Sequence, residues 1–433
     1  MTAYEKLLKK IQDKTATIGV LGLGYIGLPT ALFYKRAGFV IHGIDTNEEL
    51  VAELREGKIR MKEEGLEQIA EEHLSKINLG TSYDEIGEID VFVLCLPSPI
   101  DEQDKPVIRY LENSVRDIAS RVNKECLLLV ESTVPVGTTE KLAEIFSQVS
   151  EKKLDEDYWF AHCPERVLPG KVVEEMDTNH RLAGGVTTAS TELAVAFLNT
   201  VFHAGLIHAT SARASETAKL AENAFRDVNI AYANELAKFC AALEIDVMEV
   251  IHLANLHPRV EILNPGLGVG GYCLPKDGWI LVESVRKLGE EGLLVQAARQ
   301  VNDSMLAHVS KKIREMVLDM ELRSTIGVLG LSFKPDVSDT RNSPALDLIK
   351  LLGSTGMEVV VYDPLVREKF GDRKAESLDE LLGSCDVIVL GAAHQILKEE
   401  LRSKNLTQKI FVDPHGTMVD IVTQVRKYVG LSI

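Results

Sequence analysis

Short apolar runs alternate with amphipathic segments through the first half of the chain. β-branched and aliphatic residues cluster at 15–22, 40–45, 90–97, 126–133 and 157–164, and segments of helical periodicity separate these runs. Strands of a parallel sheet have this continuous apolar character because helices cover both faces. The pattern predicts a doubly wound parallel sheet that extends to about residue 210.

From residue 211 the apolar period changes to that of helices. Residues 211–245 contain good helix formers and almost no breaker, which predicts one long helix in one or two pieces. More helical sequence follows at 246–256 and 277–320, interrupted by the loop NPGLGVGGYCLP. These segments predict a central helical domain, and the long helix is a candidate dimer interface.

An internal repeat then appears. Residues 17–24 (TIGVLGLG) and 325–332 (TIGVLGLS) agree at seven of eight positions, and further apolar runs follow the second copy. The predicted fold is therefore α/β, with two Rossmann-like doubly wound parallel-sheet domains joined by a central helical domain. The predicted bounds are 1–210, 211–320 and 321–433.

Composition excludes several classes of protein. Of 433 residues, 45% are hydrophobic and 26% charged, as in soluble globular proteins, and no apolar stretch approaches the ~18 residues of a membrane span. The net charge of −17 argues against a nucleic-acid partner. The six cysteines lack CxxC spacing and do not cluster with histidines, which argues against disulfides or a metal site and favours a reducing, cytoplasmic compartment.

The first repeat carries a G-x-G-x-x-G motif between a predicted strand and helix. Gly22 permits a tight turn, Gly24 lets the backbone approach a pyrophosphate, and Gly27 allows close helix–strand packing. Asp45 follows the next strand and would accept hydrogen bonds from ribose hydroxyls while repelling a 2′-phosphate. This pattern favours NAD over NADP; the alternative is a tight turn without a ligand.

The second repeat departs from the motif where a dinucleotide would approach. Ser332 replaces the second glycine, and Lys334 and Arg341 follow. This domain is therefore predicted to bind a different anionic group, such as the diphosphate of a nucleotide substrate. The alternative is that Lys334 is an ordinary solvated lysine.

Cys273 is a candidate nucleophile. Glycines precede it, and a helical pattern with Pro275 and Asp277 in its first turn follows. A helix N-terminus and the adjacent Lys276 stabilise a thiolate. A lone cysteine is usually structural, but this loop reverses that expectation.

Three polar residues share one face of the predicted long helix. Lys219, Asn223 and Arg226 are spaced i, i+4 and i+7. An amine, an amide and a guanidinium on one stripe can surround a polar ligand. The alternative is a solvated face, which the apolar surroundings of the stripe make less attractive.

Together these segments resemble the UDP-glucose/GDP-mannose dehydrogenase family over essentially the whole chain. The segments that carry the resemblance are GLGYIGLPTA (22–31), ESTVPVGTT (131–139), CPERVLPG (163–170), ENAFRDVNIAYANELA (222–237), HPRVEILNPGLGVGGYCLPKD (257–277) and FKPDVSDTRNSPA (333–345).

The resemblance implies an NAD-dependent, four-electron oxidation of a sugar C6 alcohol to a carboxylate. Cys273 would form a thiohemiacetal and then a thioester, which water hydrolyses. Lys219 would act as acid–base group or oxyanion stabiliser, and Asn223 would hold a sugar oxygen. Asp277 and Thr133 would position or activate water, with Glu165 a further candidate for hydrolysis.

The resemblance also implies the binding sets. The cofactor set comprises Gly22, Gly24, Tyr25, Ile26, Gly27, Asp45, Thr133, Glu165, Lys276 and Arg341. The substrate set comprises Arg166, Val167, Lys219, Asn223, Arg226, His257, Arg259, Gly270, Phe333 and Lys334. A homodimer or higher homo-oligomer is expected, with a role in surface glycan or polysaccharide synthesis.

Different segments of the sequence resemble branches of the family that act on different sugars. The segments CPERVLPG, RDVNIA and HPRV look most like the family branch that oxidises UDP-N-acetyl-D-mannosamine. The loop GGYCLPKD instead resembles UDP-glucose dehydrogenases, and UDP-GlcNAc or UDP-GalNAc are further alternatives. A catalytically silent NAD-binding scaffold is a third possibility, against which the complete set Cys273, Lys219, Asn223 and Asp277 speaks.

Overall fold

The computed structural model describes residues 1–61, 63–85, 88–319, 325–368, 370 and 373–432. The helices are α1 Ala3–Gln12, α2 Gly27–Arg36, α3 Glu48–Arg55, α4 Leu66–His73, α5 Arg109–Arg121, α6 Thr138–Ser150, α7 Val172–Thr178, α8 Thr188–Asn199, α9 Ala212–Leu243, α10 Val247–Asn255, α11 Leu274–Arg286, α12 Leu293–Asp319, α13 Pro344–Ser354, α14 Leu378–Ser384 and α15 Gln395–Arg402.

The strands fall into two groups along the chain. They are β1 Thr17–Leu21, β2 Val40–Ile44, β3 Asn78–Gly80, β4 Val91–Leu94, β5 Cys126–Val130, β6 Tyr158–His162, β7 Arg181–Gly185, β8 Ile207–Ser211, β9 Thr325–Leu329, β10 Glu358–Tyr362, β11 Arg373–Lys374, β12 Val387–Leu390, β13 Ile410–Val412 and β14 Lys427–Val429. Short 3-10 helices occur at Leu74–Lys76, Tyr83–Glu85 and Val419–Gln424. None of the helices within the described ranges is long and apolar enough to span a membrane.

The chain forms two units. One consists of Met1–Glu222 with Trp279–Gly289, and the other of Asn223–Gly278 with Glu290–Ile433. Each contains one sheet, and apolar side chains are buried on both faces of each sheet. The predicted α/β class, with two parallel-sheet domains and a central helical region, is confirmed.

The first unit holds an eight-stranded sheet in the order β3-β2-β1-β4-β5-β6-β7-β8. Its strands pair in parallel, as predicted, except that β6 and β7 are antiparallel. Every apolar run predicted in this half forms a strand. The sequence pattern missed three strands of this sheet. β3 has only three residues, β7 (RLAGG) begins with a charged residue and ends in glycines, and the side chains of β8 are largely exposed.

The second unit holds a parallel six-stranded sheet in the order β11-β10-β9-β12-β13-β14. The repeated sequences form β1 and β9, which occupy equivalent positions with the same burial along the strand. The equivalence continues beyond the repeat: Asp45 accepts a hydrogen bond from Leu23 N at 2.8 Å, and Asp363 accepts one from Leu331 N at 2.6 Å.

The central region is helical, with one long helix rather than two pieces. α9 runs without interruption for 32 residues. The predicted helical stretch 277–320 is instead two helices, because Gly289 and Gly292 adopt positive φ values of 94° and 63° between α11 and α12. The predicted boundary between residues 320 and 321 lies outside the described residues.

Candidate functional site

The first glycine loop has the geometry its motif requires. Gly22 has a φ of +86°, and a Cβ placed on Gly27 would lie 1.8 Å from the Gly22 carbonyl oxygen. Both positions therefore exclude side chains. At Gly24, by contrast, no described atom lies within 4 Å of an added Cβ, so this position borders open space in which a ligand can approach the backbone.

The helix that follows the loop is suited to an anion. Ile26 occupies the N-cap of α2, and its apolar side chain cannot cap the first turn. Asp45 is half-buried, and its second carboxylate oxygen accepts a hydrogen bond from Asn47 N at 2.9 Å. An open glycine, a helix N-terminus and a fixed carboxylate after the second strand fit the pyrophosphate and ribose of NAD.

Tyr25 connects the glycine loop to the CPERVLPG segment. Its hydroxyl donates a short hydrogen bond to Glu63. Glu63 also accepts bonds from Gly170 N at 2.9 Å and Val172 N at 3.3 Å. The contact therefore fixes the loop relative to the segment that carries Glu165 and Arg166.

Glu165 lies in a buried charged environment. It is 7% exposed, and its oxygens accept bonds from Arg166 N at 2.7 Å and from Arg181 Nη2 at 3.2 Å. Glu131 is buried beside the same arginine. Burial and the negative charge of Glu165 raise the pKa of Glu131 to about 7, although Arg181 opposes this rise.

Other predicted residues of this unit are placed by their neighbours. The Arg166 guanidinium pairs with Glu222 at 2.6 Å and donates to the His180 carbonyl at 3.0 Å. Thr133 and Val167 are half-buried. The Arg166 side chain is therefore held against the protein rather than extended into solvent.

The first turns of α9 determine where Lys219 lies. The buried Glu216 accepts bonds from Gly137 N at 2.6 Å and from Thr139 N at 2.8 Å, at the N-terminus of α6. Ser215 bonds to His162 at 2.9 Å. Burial lowers the pKa of His162 to about 3, so this histidine is neutral. These contacts anchor α9 one turn before the half-buried Lys219.

In the second unit, Cys273 lies at a helix N-terminus, as the sequence predicts. It is exposed and directly precedes α11. Its carbonyl oxygen accepts bonds from Lys276 N at 3.1 Å and Asp277 N at 2.9 Å, which closes the first turn. The thiol therefore lies at the N-terminal, positive end of the α11 dipole.

The glycines before Cys273 allow close packing on the segment that begins with Phe333. A Cβ on Gly270 would lie 2.5 Å from the Asn342 carbonyl oxygen. Gly271 has a φ of +83°, its N–H donates to the Arg341 carbonyl at 3.2 Å, and an added Cβ would lie 2.8 Å from the Phe333 ring. The predicted residues Gly270, Cys273 and Phe333 therefore occupy one region.

A buried ion pair follows Cys273. Asp277 is fully buried and accepts bonds from Lys276 Nζ and from Asn223 Nδ2, both at 2.6 Å. Burial alone would lower the pKa of Lys276, but its attraction to Asp277 and Cys273 outweighs this, and the net shift is upward. Lys276 therefore stays a cation near the thiol.

Arg341 is held by a residue that sequence reasoning missed. Both Asp339 oxygens lie 3.0 Å from Arg341 Nε. The guanidinium of Arg341 lies 5.7 Å from the centre of the Tyr272 ring, and Lys276 Nζ lies 5.0 Å from the same ring centre. Asp339 lies two residues before Arg341 in the FKPDVSDTRNSPA segment. This short separation of opposite charges is the feature of the sequence that could have predicted the pairing.

The second glycine loop differs from the first in its polar contacts. Ser332 Oγ donates to the Lys334 carbonyl at 2.6 Å and lies 3.3 Å from His394 Nε2. The buried Asp363 bonds the same histidine nitrogen at 3.1 Å. The carboxylate equivalent to Asp45 thus contacts a protein side chain in this copy. Lys334 is half-buried.

Two asparagines of the RDVNIAYANELA run hold the loop after α10. Asn229 bonds to Glu261 O at 2.7 Å and Leu263 N at 3.0 Å, and Asn234 accepts from Gly266 N at 2.8 Å. The predicted substrate residues Arg226, His257 and Arg259 are exposed. Within the described ranges, no three His, Cys, Asp or Glu side chains are grouped so as to hold a metal ion.

Comparison with known proteins identifies the family. The chain matches the UDP-glucose/GDP-mannose dehydrogenase family over its NAD binding domain at residues 16–203, its central domain at 213–304 and its UDP binding domain at 327–422. A UDP-N-acetyl-D-mannosamine dehydrogenase of Pyrococcus horikoshii is 36% identical over 404 residues, which cover 92% of this chain and 94% of that protein.

Two solved structures show the same architecture. The UDP-D-ManNAc dehydrogenase of Pyrococcus horikoshii gives a TM-score of 0.86 at 34% identity, covering 96% of this chain and 99% of that one. A UDP-glucose dehydrogenase from Pyrobaculum islandicum gives 0.86 at 26% identity, covering 96% and 98%. The chain therefore belongs to the UDP-glucose/GDP-mannose dehydrogenase family and is an NAD-dependent UDP-sugar dehydrogenase.

Proposed function

We propose that this enzyme oxidises the C6 alcohol of UDP-N-acetyl-D-mannosamine to the uronate through a covalent intermediate on Cys273. The observation that carries the chemistry is the exposed Cys273 at the N-terminus of α11, next to the buried Lys276. The relatives named for this sugar support the choice of substrate. We assign residues 1–210 to NAD binding, 211–320 to a central helical domain that carries the catalytic loop and the dimer interface, and 321–433 to binding of the UDP-sugar.

The mechanism is covalent catalysis, which divides a difficult oxidation into easier steps. NAD, when bound, accepts one hydride in each of two oxidations. The Cys273 thiolate adds to the C6 aldehyde to give a thiohemiacetal, whose oxidation leaves a thioester. Water then adds to the thioester carbonyl, the C–S bond breaks, and the carboxylate leaves with the thiolate restored.

The remaining proposed roles follow from the charge and placement of each group. Lys219 takes or gives the C6 oxygen proton, or stabilises the oxyanion. Asn223 positions Asp277 and a sugar oxygen, and Thr133, Asp277 and Glu165 act on the hydrolytic water.

The proposed binding sets follow the two glycine loops and the catalytic loop. For the cofactor we propose Gly22, Gly24, Tyr25, Ile26, Gly27, Asp45, Thr133, Glu165, Lys276 and Arg341. For the substrate we propose Arg166, Val167, Lys219, Asn223, Arg226, His257, Arg259, Gly270, Phe333 and Lys334. A planar guanidinium such as that of Arg259 matches the oxygens of a diphosphate.

A panel of UDP-ManNAc, UDP-GlcNAc, UDP-GalNAc and UDP-glucose tests the substrate. We expect the highest kcat/KM with UDP-ManNAc, since this ratio measures discrimination. Two NADH should form per uronate, with the product identified by its mass. The loop GGYCLPKD favours UDP-glucose as the second candidate, and a preference for it would replace the proposal. One NADH per sugar would contradict the thioester route.

We also propose that the enzyme is a homodimer that uses an exposed face of α9. Phe225, Tyr232 and Phe239 are spaced by seven residues, so they lie on one side of the helix, and they are 68%, 53% and 55% exposed. Three large aromatic side chains in one stripe are unusual on a surface that faces only water.

Changing Tyr232 and Phe239 together to glutamate is expected to halve the molar mass measured by light scattering. Charge in a buried apolar contact is costly, so the partner should dissociate. The matched control is Leu288→Glu, since this leucine is 81% exposed and lies off the helix. A double variant with the mass of the wild type would exclude this face as the interface.

A further inference from the structure

A buried carboxylate lies directly behind the glycine loop and has no assigned role. Glu131 follows β5 and is 5% exposed. It accepts hydrogen bonds from Thr30 Oγ1 of α2 at 3.1 Å and from Cys95 Sγ at 2.9 Å. Its side chain therefore contacts the helix that begins at the glycine motif and the residue that packs beneath Gly22.

The guanidinium of Arg181 lies near the carboxylates of both Glu131 and Glu165. Arg181 Nη2 lies 3.2 Å from Glu165 Oε2, and Nη1 lies 4.0 Å from Glu131 Oε1. The guanidinium also lies 3.6 Å from the centre of the Phe202 ring, which restricts its position. Because Arg181 is itself buried, its charge is shared between Glu131 and Glu165 rather than screened by water.

The other titratable groups that face Glu131 are neutral. Tyr34 on α2, Cys95 after β4 and Cys163 after β6 all have pKa values raised, mainly by burial and then by the charge of Glu131. They keep their protons near neutral pH. Among the groups named, the charge of the cluster therefore depends on Glu131, Glu165 and Arg181. Glu131 is the carboxylate that can take up a proton near neutral pH.

We propose that Glu131 is a positioning residue which, through Arg181, controls how well Glu165 activates water during thioester hydrolysis. While Glu131 is ionised, it shares the positive charge of Arg181 with Glu165, and Glu165 interacts more strongly with the hydrolytic water. When Glu131 takes a proton from solvent, Arg181 pairs with Glu165 alone, and Glu165 activates water less well. The inference rests on the hydrolytic role of Glu165 in the proposed function.

The test is the pH dependence of hydrolysis in Glu131→Gln, measured as uronate released after the enzyme is mixed with the UDP-sugar 6-aldehyde and NAD, the oxidant that thioester formation requires. The panel sugar with the fastest turnover supplies the aldehyde. In the wild type the rate should fall about three- to tenfold as pH drops through about 7, because burial and Glu165 raise the pKa of Glu131 to that value and the loss of a neighbouring charge weakens general-base catalysis. In Glu131→Gln this pH-dependent fall, called the pH limb below, should be absent. The hydrolysis rate of the variant should stay at the lower value that the wild type reaches below pH 7.

Two variants separate the possible outcomes. Thr30→Val removes the hydrogen bond to Glu131 but keeps the Glu131 carboxylate, so this variant should still show the pH limb. Glu165→Gln should block hydrolysis. If it does not, the role of Glu165 is wrong and the inference with it. If Glu165→Gln blocks hydrolysis but Glu131→Gln keeps the limb, only the inference about Glu131 is overturned.

A measurement on the wild type covers the case in which Glu131→Gln fails to fold. The infrared carbonyl band of a buried carboxylic acid should disappear as pH rises through about 7. The absence of such a band would overturn the proposal. A merely structural role for Glu131 would change the melting temperature or the KM for NAD without moving the pH limb.

Discussion

Replacing Cys273 by serine is expected to reduce uronate formation roughly 10³-fold or more while both ligands still bind. Serine keeps the size of the side chain, but its hydroxyl stays protonated at neutral pH where a thiol at a helix N-terminus ionises. The variant should therefore form no thioester, and any sugar it oxidises should stop at the aldehyde. Product mass and NADH per sugar measure this directly.

Cys385→Ser is the matched control for this substitution. Cys385 is buried, and its Sγ donates to the Leu381 carbonyl at 3.0 Å, a bond that serine can also make. This variant should keep both oxidations. Uronate formed by Cys273→Ser at the rate of the wild type would remove the cysteine from the mechanism.

The fold was predictable where the hydrophobic pattern is strong. β1 and β9 are buried strands next to glycine turns, and both the apolar run and its repetition are visible in the sequence. β7 was not predictable, since its first residue is Arg181, whose burial depends on Glu131 and Glu165, two carboxylates that follow other strands. The division between α11 and α12 depends on two glycine conformations that a helical periodicity does not reveal.

The same distinction applies to the site. Cys273 and the first glycine loop carry local signals, namely a helix start and a turn that excludes side chains. The cluster of Glu131, Glu165 and Arg181 has no local signal, because its members follow or lie on different strands and meet only through the order of the sheet. Glu165 was predicted from the family resemblance alone, and its neighbours Arg181 and Glu131 were not predicted.

Replacing Asp277 by asparagine is expected to destabilise the protein by about 3–5 kcal/mol, the usual cost of leaving a buried charge without its partner. Asp277 accepts one bond from Lys276 Nζ and one from Asn223 Nδ2. An asparagine side chain has one acceptor oxygen, so its NH₂ group must face either the ammonium or the amide donor. Chemical denaturation of the variant measures the loss of stability, and the rate of uronate formation should also fall.

Combining Asp277→Asn with Lys276→Met separates stability from catalysis. The double variant has no unpaired buried cation, because methionine replaces the side chain that is 5% exposed in the native protein. Its free energy of unfolding should return towards that of the wild type, while uronate formation stays low because both the carboxylate that positions water and the cation near the thiol are missing. An Asp277→Asn single variant with the stability and uronate output of the wild type would show that neither the ion pair nor the carboxylate matters.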